Sequence, residues 1–250
     1  MAAVVAYGSI QLLGAAQWRA LLPETVPLTW TRLLRLFALT SVANNTTNSV
    51  IGHATGVALV AAEPAVGTRR AVSLLVLDQI SVGVAKLVVL LLAASVAPLP
   101  AWMQRAVVGL ALALCLLAGG AIVLRRWPRI LRANADILVP PTRLAAGVAC
   151  ALGVRCAEAS AIFAVHLALG IPPSLATVVS VLAAVSLATL VPVVPANLGV
   201  YEGAVFLTLR QVGVSPELAL LAAAVQHACQ WFAAVAPGAM VLWIPSRRLA

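Results

Sequence analysis

The chain has 250 residues, of which 63% are apolar and only 9% are charged, whereas soluble domains carry about 25% charged residues. So few charges could not cover a soluble globule of this length, and the composition predicts an integral membrane protein built of α-helices. The net charge of +9 comes from short basic groups between apolar stretches. This spacing excludes a nucleic-acid-binding face, where basic residues cluster with aromatic residues.

Five apolar stretches are predicted to cross the membrane, because about 20 apolar residues span the hydrocarbon core. In chain order they are residues 2–17, 70–96, 102–124, 144–169 and 216–243.

The connector before the fourth span, residues 125–143, carries five arginines and one acidic residue. Short connectors this basic lie in the cytoplasm. The pattern therefore places this connector and the C-terminal Arg247 and Arg248 on the cytoplasmic side of the cell (inner) membrane.

Two further regions are apolar at both ends but interrupted in the centre. Residues 33–67 contain the polar run 44–48 and two glycines, and residues 176–214 contain two prolines, an asparagine and two glycines. The orientation of the flanking spans makes each region start and end on one side of the membrane. Each is therefore predicted to be a re-entrant helical hairpin, although the long first limb of the second could be a complete span.

The order of span, hairpin and span occurs twice in opposite orientation, which predicts an inverted repeat. The single transmembrane domain, residues 1–250, would then consist of two half-repeats, 1–97 and 143–245, joined by a connector span at 101–124. A weak internal match supports the repeat, since Gly199 lies 147 residues after Gly52 and Gln226 lies 147 residues after Gln79.

The two interruptions are expected to meet near the membrane midplane. Irregular backbone at that depth is tolerated only where protein or a water-filled cavity satisfies its polar groups. Two breaks entering from opposite faces would therefore line a polar cavity. The alternative is that both are loops between ordinary spans.

Polar side chains within the spans are costly in lipid and usually face the bundle interior. Asp78 lies eight residues after Arg70, which is about 12 Å into the membrane. Glu158 can pair with Arg155, in which case both would be structural. Lys86 lies nearer the outer half of its span, where its side chain could reach the interface.

Enzyme signatures are mostly absent from the sequence. It contains no Gly-x-Ser-x-Gly, His-Glu-x-x-His or P-loop motif, and its four cysteines show no metal-ligand spacing. Only two aspartates are present, too few for a magnesium-diphosphate site. The sequence therefore predicts no metal, no cofactor and no enzymatic activity, and it favours transport.

Residues 191–203, VPVVPANLGVYEG, resemble the Pro-Gly-Gly-Leu-Gly-x-x-Glu segment of the flippase-like family. This family includes the transmembrane region of lysylphosphatidylglycerol synthase and related stand-alone membrane proteins. Residues 17–22, 44–45 and 77–79 look similar to other parts of the family, so that the resemblance covers nearly the whole chain. Ala196 and Asn197 stand where the family usually has two glycines.

The resemblance implies a transporter that moves a phospholipid or a polyprenyl-linked lipid between leaflets. Helix N-termini and cations in its polar cavity would suit a phosphate. The residues expected to contact or support the substrate are Asn44, Asn45, Gly52, His53, Asp78, Gln79, Glu158, Asn197, Gly199, Tyr201, Glu202 and Gln226.

Two alternatives remain open. One is a non-catalytic membrane subunit that presents a lipid-linked substrate to a partner enzyme, either a glycosyltransferase or an aminoacyl-lipid synthase. The other is an intramembrane enzyme that uses Glu202 or Asp78 as a general base. The sequence predicts no nucleic-acid partner and leaves the oligomeric state open.

Overall fold

The structure is a computed structural model that describes residues 1–96, 101–125, 139–190 and 194–243. Within these ranges it contains α-helices, one 3-10 turn and no strand. The elements are α1 (Ala2–Leu21), α2 (Trp30–Thr46), α3 (Ser49–Ala61), α4 (Gly67–Val96), α5 (Ala101–Arg125), α6 (Pro141–Ala168), α7 (Leu175–Ala188), the 3-10 turn (Pro195–Asn197), α8 (Val200–Gln211) and α9 (Pro216–Trp243).

Four of the described helices, α4, α5, α6 and α9, are long and apolar enough to cross a membrane. The fifth predicted span, residues 2–17, lies in α1, whose 20 residues extend about 30 Å. Helix α1 is not among those four, and Gln11, Gln17 and Arg19 lower its hydropathy. The all-helical, multi-pass membrane architecture is confirmed. Most of the basic connector and Arg247 and Arg248 lie outside the described residues.

Both interrupted regions form helical hairpins. The first breaks only at Thr47 and Asn48, so that the predicted polar run is mostly helical and Gly52 lies inside α3. The Asn48 side chain starts α3 by accepting a hydrogen bond from the Ile51 N–H at 2.9 Å. In the second hairpin, α7 has 14 residues, about 21 Å, which is too short for a complete span.

The tips of the two hairpins touch inside the bundle. The backbone N–H of Ala196 donates a hydrogen bond to the Thr47 carbonyl at 3.0 Å. The two breaks are almost 150 residues apart in sequence, and each therefore supplies a hydrogen-bond partner to the irregular backbone of the other.

The helix contacts of the two halves correspond in pairs. Helices α1 and α6 form the most extensive contact, α2 packs on α9 as α7 packs on α4, and α1 packs on α9 as α6 packs on α4. A two-fold axis between α1 and α6 would relate these pairs. Helix α5 packs mainly against α4, outside this arrangement. The division into half-repeats 1–97 and 143–245 stays a prediction that this pattern supports.

One end of the bundle, called here the basic face, gathers the connections before α2, before α4 and before α6. There the Arg143 guanidinium donates to the Leu22 carbonyl at 2.7 Å and contacts the Glu24 carboxylate at 3.1 Å. Arg32 and Glu63 form a second ion pair at 2.8 Å. The hairpin of α2 and α3 starts and ends at this face, and the hairpin of α7 and α8 enters from the opposite end.

Gly52 permits close packing of α3 against α2. A Cβ atom at Gly52 would lie 2.6 Å from the Asn44 Cα atom, and one at Gly56 would lie 2.7 Å from Thr40 Cγ2. Small residues on one helix face let helix backbones approach closely in membranes. Gly52 and Gly56 thus allow the two limbs of the hairpin to pack closely.

Replacing Gly52 with alanine is expected to lower the free energy of unfolding by about 1–3 kcal/mol, because the α2 backbone would have to shift. Gly203 in α8 provides a matched control, since a Cβ atom there meets nothing within 4 Å. Gly203→Ala is expected to be neutral or to stabilise by up to about 1 kcal/mol through helix propensity. Thermal unfolding of the purified variants in detergent measures both effects, and equal shifts for the two would contradict the packing role.

Candidate functional site

A polar cavity of about 300 Å³, called here the central cavity, lies where the hairpin tips meet. Every described helix except α5 contributes to its wall. The polar lining residues are Tyr7, Asn44, Asn45, His53, Gln79, Lys86, Arg155, Glu158, Ser186, Thr189, Asn197, Tyr201 and Gln230.

Two cations and one carboxylate line the central cavity. Arg155 and Glu158, one turn apart on α6, form an ion pair at 2.7 Å, as their spacing suggests. Lys86 does not extend to the membrane surface as its position suggested. Its ammonium group instead donates to the Ser186 carbonyl at 3.1 Å, near the C-terminal end of α7, and has no ion pair with a described carboxylate. The two cations and one carboxylate of the lining thus give the central cavity a net positive charge.

Several polar atoms of the lining residues are buried without a protein partner. They are Asn44 Oδ1, Arg155 Nε, Ser186 Oγ and Gln230 Oε1. Buried polar atoms are normally hydrogen-bonded to protein or to ordered water. The central cavity therefore has unused hydrogen-bonding capacity of both kinds, donor and acceptor, for water or a polar ligand.

Tyr201 links the cavity wall to residues behind it. Its hydroxyl lies 3.1 Å from the Tyr7 hydroxyl and accepts a hydrogen bond from Gln226 Nε2 at 2.7 Å. Its ring stacks on the His227 ring with centroids 4.5 Å apart. Gln226 is fully buried and supports the cavity wall through its hydrogen bond to Tyr201.

Glu202 starts helix α8 rather than lining the central cavity. Its Oε2 atom accepts a hydrogen bond from the Gly199 N–H at 2.7 Å, and its Oε1 atom lies 2.7 Å from His227 Nδ1. Gly199 precedes the helix with a φ of 80°, which glycine adopts without steric cost. Glu202 and Asn48 thus each satisfy one backbone N–H group at the start of α8 and of α3.

A second concavity of about 610 Å³, mostly apolar, borders Glu202 and His227 on the surface of α8 and α9. Leu198, Trp231 and Phe232 also line it. The Trp231 indole N–H donates to the Asn45 carbonyl at 3.0 Å. This apolar groove thus shares no lining residue with the central cavity but reaches the same end of α2.

Asp78 is a buried junction between α4 and α1. Its Oδ1 atom accepts hydrogen bonds from Gln17 Nε2 at 2.9 Å and from Trp18 Nε1 at 3.0 Å, and its Oδ2 atom accepts one from Gln79 Nε2 at 3.1 Å. Of these residues only Gln79 lines the central cavity. Asp78 therefore positions Gln79 and ties two helices together.

The two residues that replace the family's usual glycines lie in the left-handed region. Ala196 has a φ of 54° and Asn197 a φ of 56°. Asparagine tolerates this conformation better than most residues, whereas alanine adopts it at some cost. The local backbone thus keeps a glycine-like shape without glycine.

The structure separates the predicted site residues into two groups. The cavity wall contains Asn44, Asn45, His53, Gln79, Glu158, Asn197 and Tyr201, whereas the supporting positions behind it contain Gly52, Asp78, Gly199, Glu202 and Gln226. Sequence reasoning did not assign Tyr7, Lys86 or Arg155 to the cavity wall. Their only signal was a polar side chain within an apolar span.

A family model described as the lysylphosphatidylglycerol synthase TM region matches residues 1–238. No curated protein and no solved structure matches the chain significantly. The matched residues include α1 and both hairpins, together with every residue of the central cavity. The chain therefore belongs to the family of the lysylphosphatidylglycerol synthase transmembrane region.

Proposed function

We propose that this protein moves a phosphate-bearing lipid between the leaflets of a membrane. The substrate is a phospholipid or a polyprenyl-linked lipid, and its headgroup crosses through the central cavity. The observation that carries this proposal is the net positive cavity at the meeting point of two hairpins that enter from opposite ends.

The charges of the cavity favour an anionic headgroup. Glu158 neutralises Arg155, so that the ammonium group of Lys86 supplies the uncompensated charge. A phosphate next to Lys86 would recover part of the hydration that it loses on leaving water, since charge-assisted hydrogen bonds are about twice as strong as neutral ones. The unpartnered amide and hydroxyl oxygens of the lining suit the polar remainder of a headgroup.

Exchange between leaflets requires the two ends of the cavity to open in turn. The corresponding helix contacts of the two halves suit a rocking movement of one half against the other. During this movement the hydrocarbon chains of the lipid would remain in the bilayer, alongside the apolar surface of α8 and α9.

Transport can be tested with the purified full chain in phosphatidylcholine vesicles that contain a headgroup-labelled fluorescent phosphatidylglycerol. A membrane-impermeant reductant bleaches only the outer-leaflet probe. We expect protein-containing vesicles to lose the inner-leaflet signal as well, at a rate that increases with protein density. Equal protected fractions with and without protein, for this lipid and for a labelled polyprenyl phosphate, would contradict the proposal.

The basic face is proposed to lie in the cytoplasm of a cell with an inner membrane, because short basic connections stay on that side. Glu24 is highly exposed at this face, and Pro172 is exposed at the opposite end. In a cysteine-free background, an impermeant maleimide should label Pro172→Cys in intact cells. It should label Glu24→Cys only after permeabilisation, and the reverse pattern would overturn this orientation.

The presentation of a lipid-linked substrate to a separate membrane enzyme remains a second candidate, because the same cavity could hold a headgroup without releasing it to the other leaflet. Binding of labelled lipid without exchange between leaflets would favour it. An intramembrane enzyme has less support, since both carboxylate oxygens of Asp78 and of Glu202 already accept hydrogen bonds or contact His227.

A further inference from the structure

A slot of about 310 Å³ lies between α2 and α3 at the basic face. It shares no lining residue with the central cavity. Its polar side is formed by Arg32, Arg35 and Glu63, and its apolar side by Leu36, Leu39 and Leu59. The slot is therefore amphipathic and separate from the proposed transport path.

The two arginines of the slot have unused hydrogen-bonding groups. Arg32 contacts both carboxylate oxygens of Glu63 through its Nε atom alone, at 2.9 and 2.8 Å. Among the described residues, its terminal amino groups and the whole guanidinium of Arg35 have no protein partner. Because Arg32 and Arg35 lie three residues apart, they share one side of α2. The slot thus has two cations, one carboxylate and several free N–H donors.

The depth of the slot is indicated by Trp30. This residue begins α2 and is 44% exposed, and tryptophan is enriched at the membrane–water interface. Arg35 lies five residues further along α2, about 7.5 Å deeper. Leu36 and Leu39 continue from there toward the hydrocarbon region. The long side chains of Arg32 and Arg35 can extend back from these positions to the headgroups, whereas the leucines lie at the level of the acyl chains.

We infer that this slot binds the phosphate of an anionic phospholipid from the leaflet on the basic face. The Arg35 guanidinium and the free amino groups of Arg32 donate hydrogen bonds to the phosphate oxygens, which suit a planar, multidentate donor. One hydrocarbon chain lies against Leu36, Leu39 and Leu59. These apolar walls favour a lipid over a soluble phosphate, and the inference stands whether or not the protein transports lipid.

The test uses the purified full chain in phosphatidylcholine nanodiscs that contain a phosphatidylglycerol with a photoreactive headgroup. Peptide mass spectrometry locates the adducts after illumination. We expect adducts on residues 30–40 and 59–63, and a decrease of about tenfold in Arg35→Gln, because the phosphate loses a charged hydrogen-bond donor. Arg35 has no described protein partner, so that its replacement should leave folding intact, and Arg35→Lys should keep most of the adduct.

Arg69→Gln is the matched control, because it removes one positive charge near the same face from a residue outside the slot. Unlabelled phosphatidylglycerol should compete for the adduct, whereas excess inorganic phosphate should not. Three results would each overturn the inference: an unchanged adduct in Arg35→Gln, an equal loss in Arg69→Gln, or displacement by inorganic phosphate. The last would indicate a site for a soluble anion.

Discussion

Replacing Lys86 with methionine is expected to lower the rate of transbilayer lipid movement at least about tenfold. Methionine has a similar length but no charge, so that only the Arg155–Glu158 ion pair would remain among the charged lining groups. A phosphate that enters this neutral cavity would lose hydration without gaining an uncompensated cation. The vesicle assay with labelled phosphatidylglycerol measures the rate.

Lys86→Arg is the control for this experiment, because it keeps the positive charge at the end of α7. We expect it to retain a substantial part of the wild-type rate. The thermal unfolding temperature of Lys86→Met should not decrease, since the half-buried ammonium group bonds only to the Ser186 carbonyl among the described residues. If Lys86→Met transports phosphatidylglycerol at the wild-type rate, then Lys86 is not required for transport.

Replacing Asp78 with leucine is expected to lower the free energy of unfolding by about 3 kcal/mol or more. The change would leave two buried N–H donors, on Gln17 and Trp18, without their acceptor, and an unsatisfied buried donor costs about 1–3 kcal/mol. The contact between α1 and α4 would loosen, and Gln79 would lose its fixed orientation in the cavity wall. Chemical unfolding of the purified protein in detergent measures the change.

Asp78→Asn is the informative comparison. Its amide oxygen can still accept from Gln17 and Trp18, and the Gln79 amide can turn to present its oxygen to the new NH₂ group. We expect this variant to keep most of the wild-type stability. If asparagine and leucine destabilise the protein equally, then the negative charge of Asp78 matters more than its hydrogen bonds.

The sequence predicts four of the five spans correctly, because length and apolarity decide whether a helix can cross a membrane. It also locates both hairpins, since polar residues interrupt otherwise apolar regions. The role of Gly52 was harder to predict. A glycine can mark a helix break or a close helix contact, and only the position of Asn44 on the neighbouring limb shows that the contact is the reason.

The residues of the candidate site also divide into those that the sequence can locate and those that only helix packing can locate. Residues next to the breaks, such as Asn44, Asn197 and Tyr201, could be assigned to the cavity because the chain itself brings them to the tips. Lys86 and Arg155 could not, since the rotation of a long helix about its axis depends on packing against its neighbours. The depth of Asp78 was predictable, but its partners on α1 lie about 60 residues away in sequence.

The backbone bond between Thr47 and Ala196 has a consequence for any opening of the bundle. Both groups lie at broken helix ends, where lipid offers no replacement partner. A movement that separates the tips would leave a carbonyl and an N–H group without hydrogen-bond partners unless water reaches them at the same time. Separation of the tips and entry of water between them are therefore expected to occur as one event, and under the proposed transport function the joined tips would limit ion leakage.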